Sequence, residues 1–484
     1  MNLNSIITRL GPSVVYGERN RSITGWTINK VSHVKMGHIF LIEKSAFSQE
    51  KIHQAFKRGA RAVVVDQSIR PTTHGQNRCL IKVPNTTLAI YRLVRAYRSI
   101  YNIPIIGVTG SVGKSTTKEM IASILQQRWK IVKTTGNANL SRNIVGFLSK
   151  LYRHHNAAVF EMGMNRFGEI QSQCFMAKPT IGVMTRIGEA HVGNLKNSIY
   201  GVIKAKQELI NGLQPKGILI LNRDDKYTSK FSLKNFKGRI FYYSIKTKTN
   251  YWASHIINVR NGIRFKAHYG GGIHDYFIPV FGIHNVANAL GAIAVAHNLG
   301  FSPVHIRRGL SMFEAPKWRL QLNTGIKGSL LINDSYNANS TSMCAGINVL
   351  KDLSAGKQSI AVLGDMLELG LRSKAGHRQV GKYVATKAIT RLFTVGKLAR
   401  DMAAAAREAG MPRKNVYSFN NRAEALQRLR LYLNKNTVVL FKASRRIALD
   451  KLVKQLMANK AQRVAPKKRV KKSKLKSRLH VKKP

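Results

Sequence analysis

Acidic residues are scarce in this chain. Only 21 Asp and Glu stand against 81 Lys and Arg, a formal net charge of +60. Cysteine is scarcer still: Cys79, Cys174 and Cys344 lie far apart and are odd in number. That excludes a disulfide framework and a cysteine-based metal signature, and it points to a reducing compartment. Long apolar runs are missing, since no stretch approaches the roughly 20 residues that span a bilayer. The opening "MNLNSIITRLGPSVVYG" lacks an apolar secretory segment followed by a small-residue cleavage site. These absences lead to the expectation of a cytoplasmic, monomeric protein without a membrane span.

The basic excess is spread along the chain. From Lys460 onward the tail carries 12 basic residues, which leaves 69 in the body. Such a field attracts polyanions in a salt-dependent way, yet no zinc finger, RNP aromatic pair or KH loop accompanies it. Two readings of the charge stay open, contact with a polyanion and an adapted surface without specific recognition. The tail is low in complexity and self-repelling, so it is expected to be disordered when free.

What is present is a chain of 484 residues, 44% apolar, long enough for about three domains. Residues 1–99 read as a small α/β unit, with "GHIFLIE" and "RAVVVDQ" as buried strands and "SQEKIHQAFKRG" as a helix between them. From Ile103, "IPIIGVTG", "NAAVFEMG", "PTIGVMTRIG" and "GILILNRDD" alternate with helical patterns, which predicts a mostly parallel sheet covered on both faces over 100–315. "HNVANALGAIAVAHNLG" is a close-packing helix ended by Gly300. After "EAPKWR" a third unit, 316–455, carries the strands "SLLINDSYN", "SIAVLGDM", "RLFTVG" and "TVVLFKAS". Residues 456–484 are assigned to the basic tail. The fold class is α/β throughout.

The sharpest local signal is "GVTGSVGKSTTKEM", 107–120. A strand-type run ends in a glycine-rich turn and a helix begins at once. Backbone amides from Gly110 to Lys114 and the positive end of the helix form a phosphate cradle. Lys114 supplies a cation for the β/γ-phosphates and Ser115 a hydroxyl for Mg²⁺. Val108 stands where the standard pattern has its first glycine, leaving G-x-x-G-K-S over 110–115. Ligands of open α/β sheets collect at the carboxyl ends of strands, and polar residues cluster there: Glu161, His191, Asn222, Asp224, Asp225, Asp334, Asp365 and Lys442.

The order and spelling of "GVTGSVGKSTTKEM", "EMGMNRFGEI", "GVIKAKQELI", "GIHNVANALGA", "NDSYNANSTSM", "LGDMLELG" and "FKASR" resemble the Mur ligase family, over about three-quarters of the chain. The likeness is narrowest to its branch that adds a terminal dipeptide to the peptidoglycan precursor. The resemblance implies a three-domain architecture with a P-loop-type central sheet and a Rossmann-like C-terminal domain. It also implies an ADP-forming amide ligase that activates a carboxylate as an acyl phosphate for attack by an amino-acid or dipeptide amine. By the resemblance, Thr109, Gly110, Ser111, Gly113, Lys114, Ser115 and Thr116 hold the phosphates of ATP, and Asn285 and Asn288 its adenine side. Arg319 reaches the phosphates and Asp334 the ribose or hinge. Ser115, Glu161, His191 and Lys206 serve two Mg²⁺ sites, Lys206 as a carbamate. Lys114, His191, Lys206 and Arg319 form the catalytic set. Tyr336 continues the Asp334 motif, and Asn337, Asn339, Asp365, Glu368, Lys442, Ser444 and Arg445 face the acceptor. In a chain so poor in acids, about half fall in these family motifs or at the strand ends, Glu119, Glu161, Glu169, Glu208, Asp224, Asp225, Asp334, Asp365 and Glu368 among them, where the resemblance implies metal and ATP chemistry.

Three stretches depart from the family pattern. Asn29 and Lys30 stand where it has Asp-Ser-Arg, and the following glycine loop is shortened. "GNANLSRNIVGF", 136–147, replaces a compact motif, and Arg186 replaces an asparagine. All three touch acceptor recognition more than ATP chemistry. Besides ligation of D-alanyl-D-alanine to a UDP-linked muramoyl tripeptide, a ligase for another carboxylate and amine pair remains open. So does a non-catalytic, ATP-binding basic scaffold.

Overall fold

The computed structural model describes residues 2–70 and 78–458. The basic tail from Lys460 lies outside the described residues. Residues 456–458 belong to the last domain: Met457 bridges Gly325, and the Ala458 amide donates to Thr324 O at 3.0 Å.

The first unit is a five-stranded sheet in the order Val14–Tyr16, Cys79–Val83, Ala62–Asp66, His38–Leu41, Gly25–Ile28, parallel except for its first pair. Ala62–Asp66, "AVVVD", is buried along its whole length, as a parallel strand covered on both faces must be. Helix Gln49–Lys57 starts where the Ser48 hydroxyl accepts from the Lys51 amide, and it turns Ile52 and Ala55 inward. Helix Thr86–Arg98 joins this unit firmly to the next. Its final residue, Arg98, is buried and donates to the carbonyls of Ala177 (2.9 Å), Tyr101 and Ile103 (3.0 Å). Burial lowers the Arg98 pKa to about 10.

The central domain is a nine-stranded sheet. From one edge it runs Gly272–Ile278, Gly262–Tyr269, Tyr251–Val259, Arg239–Ser244, Ile218–Asn222, Ile181–Met184, Ile105–Thr109, Ala157–Glu161, Ile131–Lys133. The four strands foreseen from Ile103 onward all form and pair in parallel. The meander at 251–278 is antiparallel and was not foreseen. Its hairpin turns at Gly270 and Gly271, both at positive φ, as a two-residue turn of this twist demands. Helix Ile283–Asn298 is buried without interruption from Asn285 to Ala296, so its small residues let it lie inside the domain against helix Lys114–Leu125.

The third domain is a six-stranded sheet, Gln321–Thr324, Leu330–Asn333, Thr437–Lys442, Gln358–Gly364, Arg391–Val395, Val416–Phe419. Only its first pair is antiparallel. Among the described residues no helix is long and apolar enough to cross a membrane, and all three cysteines are free thiols.

Candidate active site

Strand Ile105–Thr109 delivers the glycine turn to the carboxyl edge of the central sheet, and helix Lys114–Leu125 leaves it. Part of the turn is engaged internally. The amides of Ser111 and Val112 donate to Arg186 O at 2.7 and 3.1 Å, and the Ser111 hydroxyl donates to Gly188 O at 2.8 Å. Thr109 is buried, its hydroxyl bonded to Met162 O at 2.7 Å. The first intrahelical bond runs from Thr117 N to Gly113 O at 2.9 Å. The amides of Lys114, Ser115 and Thr116 therefore remain as donors at the positive end of the helix. This narrows the cradle read from the sequence: Ser111 and Val112 shape the turn, and the helix terminus faces the anion.

Lys114 folds back over the turn, Nζ donating to Gly110 O at 2.8 Å. Burial lowers its pKa, with the Glu161 charge opposing and Arg319 adding to the effect. Ser115 donates to Glu161 Oε2 at 2.7 Å, and Asn139 Nδ2 donates to Oε1 at 2.8 Å. Glu161 is 3% exposed, at the end of strand Ala157–Glu161. Lys206, on helix Ile199–Asn211, is 2% exposed in the same cavity. Burial, and then the charge of Lys114, pushes its pKa well below the ordinary lysine value against the pull of Glu161 and Glu208. Lys114, Asn139, Glu161, His191, Lys206 and Arg319 thus line one cavity of about 240 Å³ between the central and third domains. His191 Nδ1 lies 2.8 Å from Glu368 Oε2 of the third domain, and the imidazole holds the Glu368 carboxyl below its usual range.

The oxygen donors fit Mg²⁺, which takes one or two carboxylates and completes its shell with water and phosphate oxygens. The paired Ser115 hydroxyl and Glu161 carboxylate at the phosphate turn are such a set. Among the described residues no cluster of three His, Cys, Asp or Glu side chains forms, so a protein-only cage is not the design. Lys206 as an ammonium adds no ligand, whereas as a carbamate it would add oxygens.

Asn285 and Asn288, expected on the adenine side, are hydrogen-bonded to one another. Asn288 Nδ2 donates to Asn285 Oδ1 at 3.0 Å, Asn285 Nδ2 to Phe281 O at 2.7 Å, and Thr117 to Asn288 Oδ1 at 3.3 Å. With Thr116, Arg319, Asp334 and Lys442 they enclose a cavity of about 50 Å³. This cavity shares Arg319 with the cavity that holds Lys114 and Glu161. Arg319 lies over the Tyr336 ring at 4.3 Å.

Lys442, expected at the acceptor, lines the same cavity as Asn285 and Asn288. Its Nζ donates to Asp334 Oδ2 at 2.6 Å and to Asn337 O at 3.1 Å, in a buried pair. Lys442→Met leaves Asp334 buried without its cation. The expected loss is about 3–5 kcal/mol of stability of the third domain, read by urea unfolding with Trp318 as the fluorophore. Replacing both partners with apolar residues is expected to recover most of it.

The other acceptor-side residues are largely engaged in the fold. Asn339 caps helix Ser340–Leu353, accepting from Ser342 N at 2.9 Å. Asn337 Oδ1 accepts from Ala338 N at 2.8 Å. Asp365 accepts from Ala399 N at 2.7 Å, and Ser444 from Leu367 N at 2.9 Å, which ties "LGDMLELG" to "FKASR". Arg445 pairs with Asp450 at 2.6 Å and covers the Trp318 ring at 4.0 Å. Asn139, the partner of Glu161, was not singled out from the sequence. Its signal was the second asparagine of "GNAN", inside the segment read only as a departure.

A glycine turn and a helix terminus with a lysine, a serine–carboxylate pair and a closing third domain define a nucleotide-dependent enzyme whose site lies between two domains. The description "Mur ligase middle domain" matches residues 108–296, and "Mur ligase, glutamate ligase domain" matches 318–445. The chain is 35% identical over 407 residues to the UDP-N-acetylmuramoyl-tripeptide–D-alanyl-D-alanine ligase of Bacillus subtilis, covering 84% of this chain and 87% of that one. It is 31% identical to the ligase of the same name from Escherichia coli, with the same coverage. A crystal structure of MurF from Acinetobacter baumannii superposes with a TM-score of 0.81 at 28% identity, over 94% of this chain and all of that one. MurF ligase of Thermotoga maritima in complex with ADP shares the fold, with a TM-score of 0.76 at 20% identity over 89% and 96%. The chain belongs to the Mur ligase family.

Proposed function

We propose that this protein is an ATP-dependent, ADP-forming ligase that joins D-alanyl-D-alanine to UDP-N-acetylmuramoyl-tripeptide. The observation that carries the reading is the buried array of Lys114, Ser115, Glu161 and Lys206 at the phosphate turn. Relatives bearing that activity in their names extend over more than four-fifths of the chain. A non-catalytic scaffold has no use for Lys206 buried beside Lys114, an arrangement that destabilises the fold.

A carboxylate is a poor acyl donor because its leaving group is oxide. The acceptor carboxylate oxygen attacks the γ-phosphorus, the bond to the β–γ bridging oxygen breaks, and ADP leaves. The amine then attacks the acyl phosphate carbon and loses a proton, and inorganic phosphate departs with the C–O electron pair. Lys114 and the helix-terminal amides hold and neutralise the phosphoryl oxygens, and Arg319 approaches from the third domain. Ser115 and Glu161 would hold Mg²⁺, which would supply further neutralisation of phosphate charge. Carbamoylation of Lys206 belongs to this reading: a neutral buried amine is the form that reacts with CO₂.

The acceptor has a route to this centre. A cavity of about 650 Å³ between the first and central domains is lined by Tyr91, Arg142, Arg166 and Phe167, and it shares Leu140 and Asn165 with the catalytic cavity. Two arginines suit a diphosphate. Asn29 is itself held by Glu43, to which Nδ2 donates at 2.6 Å. The test is phosphate release from ATP with Mg²⁺, each substrate added or omitted. Release is expected only with both UDP-N-acetylmuramoyl-tripeptide and D-alanyl-D-alanine. Silence with the full set refutes the substrate assignment.

A further inference from the structure

We infer that the loop at 189–197 of the central domain and the loop at 366–372 of the third domain form a clasp that sets the closed, productive arrangement, with Gly193 and Asn197 as positioning residues. The inference rests on reading the cavity between these two domains as the ligase site.

Two backbones meet here at a distance only glycine permits. A Cβ on Gly193 would lie 2.8 Å from Gly370 N, 3.0 Å from Gly370 Cα and 3.2 Å from Glu368 O. All three atoms belong to the third domain, and Gly193 itself has no left-handed φ. The three nearest atoms a side chain there would meet thus all lie across the interdomain contact. From the other side, a Cβ on Gly370 would meet Asn197 Oδ1 at 2.2 Å and Gly193 Cα at 2.7 Å.

Hydrogen bonds cross the same seam. Gly193 N donates to Glu368 O at 3.2 Å, and Leu371 N donates to Asn197 Oδ1 at 3.2 Å. Beside them Arg372 Nε lies 3.3 Å from Glu189 Oε1, and the Ser340 hydroxyl donates to Glu189 Oε2 at 3.4 Å. Left-handed backbone concentrates at the contact: His191, Lys196 and Asn197 on one loop, Glu368 and Gly370 on the other. Such conformations persist where surrounding contacts hold them, and they mark elements with two arrangements. Both loops lead to the site. His191 lines the catalytic cavity, and the loop at 366–372 follows strand Gln358–Gly364. Seams of this kind between two domains open to admit a ligand and re-form for the reaction.

The test compares full-length Gly193→Ala, Asn197→Leu and Asn197→Asp with Arg413→Ala, an exposed side chain of the third domain away from the seam. Asp keeps the accepting oxygen and tolerates left-handed backbone. Small-angle X-ray scattering with a non-hydrolysable ATP analogue reads closure without turnover, and phosphate release reads kcat and KM. Gly193→Ala and Asn197→Leu are expected to keep a larger radius of gyration with the analogue and to lose about 10²-fold in kcat. Asn197→Asp and Arg413→Ala stay within about twofold of the parent on both readouts. Parental scattering in Gly193→Ala, or equal impairment of Asn197→Asp and Asn197→Leu, overturns the clasp. If the proposed substrates give no turnover in any variant, the substrate reading has failed and scattering alone decides on the clasp.

Discussion

Lys114→Ala is expected to lower ATP-dependent phosphate release by about 10³-fold, some 4 kcal/mol of transition-state stabilisation, while leaving the fold intact. The two halves of this result have separate causes. Stability is spared because among the described residues the Lys114 ammonium donates to Gly110 O, at 2.8 Å, within its own turn, and burial already disfavours its charge. Turnover falls because the amides of Ser111 and Val112 are engaged by Arg186, which leaves the helix terminus and this ammonium as the positive elements of the turn. Lys114→Arg is not expected to restore activity, since a planar guanidinium cannot replace a compact ammonium folded over the turn. Circular dichroism checks the fold, and phosphate release at saturating substrates checks the rate. A variant that keeps more than about a tenth of parental turnover removes Lys114 from the phosphate site.

The three domains and most parallel strands were legible because each strand is a short apolar run closed by a glycine or a polar residue, as in "IPIIGVTG" and "TVVLFKAS". The meander at 251–278 escaped because its exposed face alternates weakly: Tyr251–Val259 goes from buried to largely exposed along its length. The "YGGGIHD" turn was a usable hairpin signal. In the site, Lys114, Ser115 and Glu161 could be paired from their motifs. Roles fixed by tertiary placement could not. Asn339 is a helix cap, Asp365 and Ser444 tie two loops together, and Lys442 neutralises Asp334 across 108 residues of chain. Sequence places each of these at a strand end or a helix start, but it does not say which neighbour takes the hydrogen bond. The clasp is further from reach, because Gly193 and Gly370 are ordinary loop glycines until the domains face each other.

Lys206→Met is expected to abolish turnover and to stabilise the protein. The side chain is 2% exposed, and burial together with the Lys114 charge holds its pKa well below the ordinary lysine value. Between that depressed folded value and the unfolded value of about 10.4, the unfolded chain binds the extra proton. Stability attributable to this residue therefore rises with pH across the window and levels off above about 10.4. The penalty is greatest at the low end of the window, where folding must strip the proton or bury the charge. Methionine fills similar space without a charge, so the gain in CO₂-free buffer is expected to be about 1–3 kcal/mol near neutral pH and to shrink as the solution becomes alkaline. The same neutral amine is a nucleophile for CO₂: the N–C bond forms, a C=O electron pair moves to oxygen, and the nitrogen releases a proton to solvent. The parent protein is accordingly expected to lose turnover in CO₂-free buffer and regain it with bicarbonate, whereas Lys206→Met stays inactive in both. Urea unfolding across pH and phosphate release with and without bicarbonate measure the two effects. A Met variant that is less stable than the parent, or one that still turns over, contradicts the assignment of Lys206 as a buried, reactive amine. Gain in stability with loss of activity is the signature of a residue held at an unfavourable position for its chemistry.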